Sequence, residues 1–196
     1  MTDLQLETAA RHRVGGRFPS LACLQAEVPL VRASQAVTQR RSPEDERLMA
    51  TVLGGRKRGF ILEIVSKSGP ERGESEYGYV GWRRVLTRLP SLQELRDSLQ
   101  GLATACADVS SDKWLSRLGS SRWLTHVRDV LNAACLTAQC LVKEKAAVLL
   151  TENTGTDLSL VISSLAQIII NPDTRTLHGL QERRDISENL NSNVCV

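Results

Sequence analysis

Ala146-Ala147-Val148-Leu149-Leu150-Thr151-Glu152-Asn153-Thr154-Gly155-Thr156-Asp157-Leu158-Ser159, with the apolar run 160–170 behind it, decides the fold. Residues 147–150 form a short continuous apolar run, the pattern of a strand covered on both faces. Gly155 permits a sharp turn, and Asp157 or Thr156 can cap a helix that follows. Leu160, Val161, Ile162, Leu165, Ala166, Ile168, Ile169 and Ile170 make that helix apolar enough for the core, and Asn171-Pro172 ends it. A buried strand feeding a helix through a tight loop predicts an α/β fold, a central sheet flanked by helices.

Such a junction is a ready-made anion site. Backbone N–H groups converge there, and the helix dipole favours negative charge. Cysteine-dependent phosphatases place a thiolate nucleophile at the head of such a loop and an arginine at its end. Here Glu152 stands at the head and Leu158 at the end. The shape is present and the chemistry is not.

The order of strand, loop, Asp, hydroxyl residue and apolar helix, then Asn171-Pro172-Asp173-Thr174-Arg175-Thr176-Leu177-His178-Gly179, resembles the myotubularin phosphoinositide phosphatases. Active members of that family carry His-Cys-Ser-Asp-Gly-Trp-Asp-Arg-Thr at the loop. Against that pattern Thr151 stands at the His, Glu152 at the nucleophilic Cys and Asn153 at the Ser. Thr154 replaces an Asp, Gly155 matches, Thr156 replaces the Trp and Asp157 matches. Leu158 replaces the Arg, and Ser159 the Thr. The resemblance implies a partial cysteine-phosphatase-like domain of the family's inactive branch, with a degenerate loop, no catalytic residue, no cofactor and no metal.

Other segments carry the same resemblance. Phe18-Pro19 matches a Phe-Pro segment, and Arg32, Ser34 and Gln35 keep part of an Arg-Ser-x-Gln-Pro wording from which Ala33 and Ala36 depart. Glu44-Asp45-Glu46, Lys57-Arg58-Gly59-Phe60-Ile61 and Trp82-Arg83-Arg84 match further segments. The resemblance runs from about Arg11 to Gln181, so residues 1–181 read as a partial, inactive myotubularin-like phosphatase domain. Residues 182–196 are polar, Asn-rich and unlike the family, and are expected to form a disordered tail. The family's lipid-binding N-terminal module and C-terminal coiled coil have no match, so the chain reads as a fragment, a truncated form or a misjoined gene model.

The elements between follow from local signals. Ser42 is a good N-cap, Pro43 suits a first helical position, and the following acids face the positive helix end. That helix should run to about Leu53, where Gly54-Gly55 stops it. Residues 60–65 read as a second strand and 66–81 as an exposed loop. Ser91-Leu92-Gln93-Glu94 is a capping-box pattern opening a helix with Leu92, Leu95, Leu99, Leu102, Ala103 and Cys106 on one face. After a polar link at 107–113 and a short helical piece, Trp123, Leu124, Val127, Val130, Leu131, Ala134, Cys135 and Ala138 keep helical spacing up to the key strand.

Composition bounds the function. The 196 residues are 41% apolar and 24% charged with a net charge of +3, which gives no global case for nucleic acid. Arg11, Arg13, Arg17, Arg32, Arg40, Arg41, Arg56, Lys57 and Arg58 weight the first third positively, readable as a solvated face or as a patch for anionic lipid headgroups. The five cysteines (Cys23, Cys106, Cys135, Cys140, Cys195) show no metal spacing and read as reduced thiols of a cytosolic protein. The start of the chain lacks the basic end and apolar core of a signal peptide.

Glu152 reads in two ways that can both hold: a resident carboxylate occupying the anion site, and an acid favoured by a helix dipole. Asp157 reads mainly as a cap. The resemblance implies a pseudophosphatase with a regulatory or adaptor role towards active phosphoinositide 3-phosphatases. Its partner would be an active myotubularin in a heteromer. Its setting would be the cytoplasm and, peripherally, phosphoinositide-bearing endosomal membranes, with no nucleic-acid partner. Two alternatives stay open: a phosphoinositide 3-phosphatase using Glu152 or another chain as nucleophile, and a non-functional truncated product.

Overall fold

A computed structural model describes residues 2–38, 42–67, 78–107, 112–179 and 181. In chain order these form α1 (Asp3–Arg11), β1 (Ser20–Gln25), β2 (Val28–Ser34), α2 (Pro43–Leu53), β3 (Gly59–Ser66) and β4 (Trp82–Leu89). There follow α3 (Leu92–Ala107), α4 (Trp114–Ser121), α5 (Trp123–Val142), β5 (Ala147–Glu152) and α6 (Leu158–Ile170), with short 3-10 turns at Val14–Gly16 and Pro172–Arg175. The expected tail at 182–196, the middle of the expected loop at 66–81, Arg40, Arg41 and Cys195 lie outside the described residues.

The five strands make one sheet in the order β1-β2-β5-β3-β4. β1 and β2 are an antiparallel hairpin, while β2 with β5, β5 with β3, and β3 with β4 are parallel. β5 is the central strand, Val148 pairing with Leu30 on one side and Phe60 on the other. Its residues 147–150 are fully buried, as their unbroken apolar run requires.

Alternation divides the strands between two cores. Val28, Leu30, Leu62, Ile64, Val148 and Leu150 meet α5 and α6 through Val130, Ala134, Leu141, Leu158, Ile162 and Ala166. Val31, Ala33, Ile61 and Leu149 face the other way, onto Met49 of α2 with Val52, Tyr79 and Trp82 beside it. This is the α/β architecture the sequence predicts, a sheet with helices on both faces.

Local chemistry sets the helix ends. Ser42 accepts the N–H of Asp45, Pro43 takes the first helical position, and Gly54 closes α2 in the left-handed conformation. The Ser91 hydroxyl accepts the Glu94 N–H at 3.2 Å while Glu94 accepts the Ser91 N–H at 2.6 Å, completing the predicted capping box.

The helical spacing read for α3 and α5 holds, with Leu95 packed on the core and Val130, Ala134 and Ala138 buried, but several of the leucines in it face solvent. α3 buries Ser98 and Ala105, whereas Leu92 and Leu99 are exposed. α5 buries His126, Val130, Ala133, Ala134, Thr137, Ala138, Cys140 and Leu141, and leaves Leu124 and Leu131 in solvent. Small residues dominate the buried stripe of α5, where α6 packs directly against it, and Leu141 fills the core near its end.

The basic-surface reading also fails at two residues. Arg13 and Arg32 are each only 2% exposed. Arg13 donates from Nε and Nη2 to the Asp45 carboxylate at 2.9 and 3.1 Å, and from Nη1 to the Ser34 carbonyl at 2.9 Å. Tyr79 donates its hydroxyl to the same carboxylate. The arginine thus ties the segment after α1 to α2 and to the end of β2. Arg56 donates to the carbonyls of Leu53 and Glu27, and Arg58 pairs with Glu144.

Candidate functional site

β5 ends at Glu152 at the carboxyl edge of the sheet, where open α/β sheets place their ligand crevices. Ser34 of β2 is its register partner on one side, and Glu63 of β3 pairs with the preceding Thr151 on the other. Residues 153–157 then turn back over the end of β2. Gly155 makes this possible twice over. Its φ is +74°, and a Cβ there would lie 2.8 Å from the Ala33 carbonyl carbon and the Ser34 nitrogen.

The first N–H groups of α6 all point to one side chain. Asp157 N–H and Ser159 N–H donate to Glu152 Oε2 at 3.2 and 3.0 Å, and Leu158 N–H donates to Oε1 at 3.0 Å. The anion cradle expected from the sequence exists and holds the Glu152 carboxylate, which also serves as the helix cap. Asp157, the predicted cap, makes no side-chain capping bond. Its carboxylate instead accepts from the Thr154 and Thr156 hydroxyls, both at 3.4 Å. A carboxylate at the strand end reaches three amides at once, more than an Asp beside the helix start could satisfy.

The other loop residues are placed as follows. Thr151 is buried within β5, and Asn153 is exposed on the lip. Thr154 offers its carbonyl to Arg17 Nη1 at 3.4 Å. Leu158, at the end of the loop, is 5% exposed and lies in the core with Ile162, Leu150 and Leu30. Behind the loop, Ser159 and Ser34 are 0% and 1% exposed, and their hydroxyls make no hydrogen bond among the described residues.

Arg32 is the residue sequence reasoning passed over. It follows Leu30 on the same face of β2 and sits two positions before Ser34, the partner of Glu152. Burial pushes its guanidinium below the ordinary value, and the Glu152 carboxylate pulls it back up. The sequence marked it by the Arg32-Ala33-Ser34-Gln35 wording and as one of the basic residues of the first third, but nothing in one sequence shows that β2 lies beside β5.

In front of the loop lies a cleft of about 460 Å³, lined among others by Gln35, Ser66, Pro90, Asn153, Asp157 and Leu158. Among the described residues no cluster of three or more His, Cys, Asp or Glu could hold a metal ion. No helix among them is long and apolar enough to cross a membrane.

Comparison with known proteins gives this geometry its context. The model of the myotubularin-like phosphatase domain matches residues 1–183. Myotubularin-related protein 9-like of Bos taurus is 40% identical over 92% of this chain and 36% of its own length. Myotubularin-related protein 9 of Homo sapiens is 38% identical over 91% of the chain and 35% of its own length. Myotubularin-related protein 10 of Danio rerio is 40% identical over 62% of the chain and 16% of its own. The chain thus spans little more than a third of the length of the relatives that match nearly all of it. It belongs to the myotubularin family.

Proposed function

We propose that this myotubularin-family chain is a pseudophosphatase, keeping the shape of a phosphoinositide phosphatase site without its chemistry and serving as a regulatory or adaptor partner of an active family member. The observation that carries the reading is the Glu152 carboxylate on the amides of Asp157, Leu158 and Ser159. A transferred phosphoryl group needs that cradle, and a carboxylate already fills it. Two unit charges about 4 Å apart repel by roughly 4 kcal/mol at an effective dielectric of 20. No thiolate heads the loop, and Leu158 supplies no guanidinium. Glu152 is also poorly disposed to act as a nucleophile itself, because both of its oxygens accept backbone hydrogen bonds.

Family membership supports the rest of the proposal: an active myotubularin as heteromeric partner, and a cytoplasmic setting at phosphoinositide-bearing, endosomal membranes. The test is phosphate release by the full chain from phosphatidylinositol 3-phosphate and from a phosphotyrosyl peptide, with co-precipitation against an active family phosphatase alongside. The expected result is no release above buffer and recovery of the phosphatase. Release that disappears in Glu152→Gln would overturn the reading in favour of an enzyme.

A further inference from the structure

We propose that the loop is an anion site filled by its own side chain, with Glu152 as the resident ligand and Arg32 as its buried counter-charge, and that it takes a tetrahedral oxyanion of the phosphate class once the carboxylate is removed. The inference rests on reading this loop as a degenerate phosphatase loop and extends that reading from lost chemistry to retained binding.

Three independent features converge. The cradle is seen occupied: three consecutive amides at 3.0–3.2 Å hold a carboxylate, so they are aimed at a negative group and not at solvent. A buried positive charge lies on the neighbouring strand, since Arg32 of β2 pairs with Leu150, two residues before Glu152, and is 2% exposed, with the Glu152 carboxylate favouring its ionised form. Removing the carboxylate takes away the negative charge that favours the ionised guanidinium, and an external anion supplies one again. The floor of the loop is fixed independently of Glu152, because Gly155 rests on the Ala33–Ser34 peptide. The cradle should therefore outlast the loss of its occupant.

The choice of variant matters. Glu152→Gln keeps the volume and turns an NH2 group towards three N–H donors, so the site stays obstructed. Glu152→Ala removes both charge and bulk, and opens the cradle to the cleft in front of it.

The experiment titrates the full chain, wild type and Glu152→Ala, with inorganic phosphate, by isothermal calorimetry and by thermal melting. The wild type should show no binding and no shift. Glu152→Ala should bind with an affinity at least ~10-fold above the wild-type limit and melt at higher temperature as phosphate is added. Inositol 1,3-bisphosphate forms a second arm. Binding of both ligands supports the proposal, whereas binding of the inositol phosphate alone would place the site in headgroup contacts outside the cradle and overturn it. Adding Arg32→Lys should weaken the gained affinity and Arg32→Gln should abolish it. Should the Gln variant fail to fold, a vanadate-soaked crystal of Glu152→Ala decides instead. Vanadate on the amides of Asp157, Leu158 and Ser159 supports the assignment, and vanadate elsewhere sinks it. A Glu152→Ala protein blind to phosphate would defeat this inference while leaving the wild type's lack of turnover, and so the proposed function, untouched.

Discussion

Arg13 and Asp45 meet through two hydrogen bonds of 2.9 and 3.1 Å, although 32 residues separate them and both are nearly inaccessible to water. Breaking such a pair from one side leaves a buried charge without its partner, at a cost of about 3–5 kcal/mol. Asp45→Ala should lower the urea midpoint accordingly. Arg13→Met combined with Asp45→Leu should be less damaging than the sum of the single changes, since neither charge is then stranded. Strict additivity in that double-mutant cycle would show that the pair is not coupled.

Gly155→Ala should disturb the loop more than any other single methyl group there. The new Cβ would meet the backbone of Ala33 and Ser34 at 2.8 Å, and the residue would be held at φ +74°. Positive φ alone costs a non-glycine residue about 1–2 kcal/mol. Hydrogen exchange should speed up at the amides of Leu158 and Ser159, which lose their aim at Glu152. Protection equal to the wild type would mean that β2 yields instead.

His126 gives the fold a mild acid sensitivity. It is 5% exposed on α5, and burial with the nearby charges of Arg122 and Lys67 pushes it below its ordinary 6.5, against the opposing pull of Glu94 and Asp129. The unfolded chain therefore takes up the proton first. Stability contributed by the neutral ring is fully present above 6.5 and declines as pH falls from there towards the folded value. Urea unfolding across that window should show the decline, and His126→Gln should flatten it. An unchanged slope in the variant would assign the effect elsewhere.

Glu94 and Asp129 act in a lower window. The Ser91 N–H holds the Glu94 carboxyl below its ordinary value, and the Lys67 ammonium does the same for Asp129. Each contributes stability that is present above its unfolded value and lost as pH falls through the folded one. Ser91→Ala should cost about 1 kcal/mol at neutral pH through the α3 cap. Ser91→Pro, which removes the N–H itself, should raise the Glu94 titration midpoint seen by carboxyl NMR. A midpoint that stays put would remove the capping box as the cause.

What could be read from the sequence was local. The Ser42 cap, Gly54, the Ser91/Glu94 box and the strand-loop-helix at Glu152 each depend on residues a few positions apart, and the structure has them as expected. What was hidden depends on neighbours distant in the chain. The β1–β2 hairpin turns at Ala26 and Glu27, both at positive φ, with no glycine or asparagine to announce it. β4 carries Arg83, Arg84 and Arg88 on an edge, where charge and not apolar alternation is tolerated. The spacing in α3 and α5 also took in Leu92, Leu99, Leu124 and Leu131, which the structure exposes, because serine, alanine and threonine fill the close contacts. The helix cap was assigned to Asp157 because capping rules look one residue back, whereas the acid that caps lies across the loop.

The place of β5 in the sheet orders the assembly of the domain in time. Every other strand among the described residues precedes it in the chain, yet β2 and β3 touch only through it. During synthesis the β1–β2 hairpin and the β3–β4 pair must therefore wait as two separate ribbons, each with an open edge facing the gap. Insertion of the all-apolar 147–150 segment joins them, and α6 can settle only afterwards. The Glu152 latch is accordingly among the last contacts to form, and its closure reports that the two halves have met.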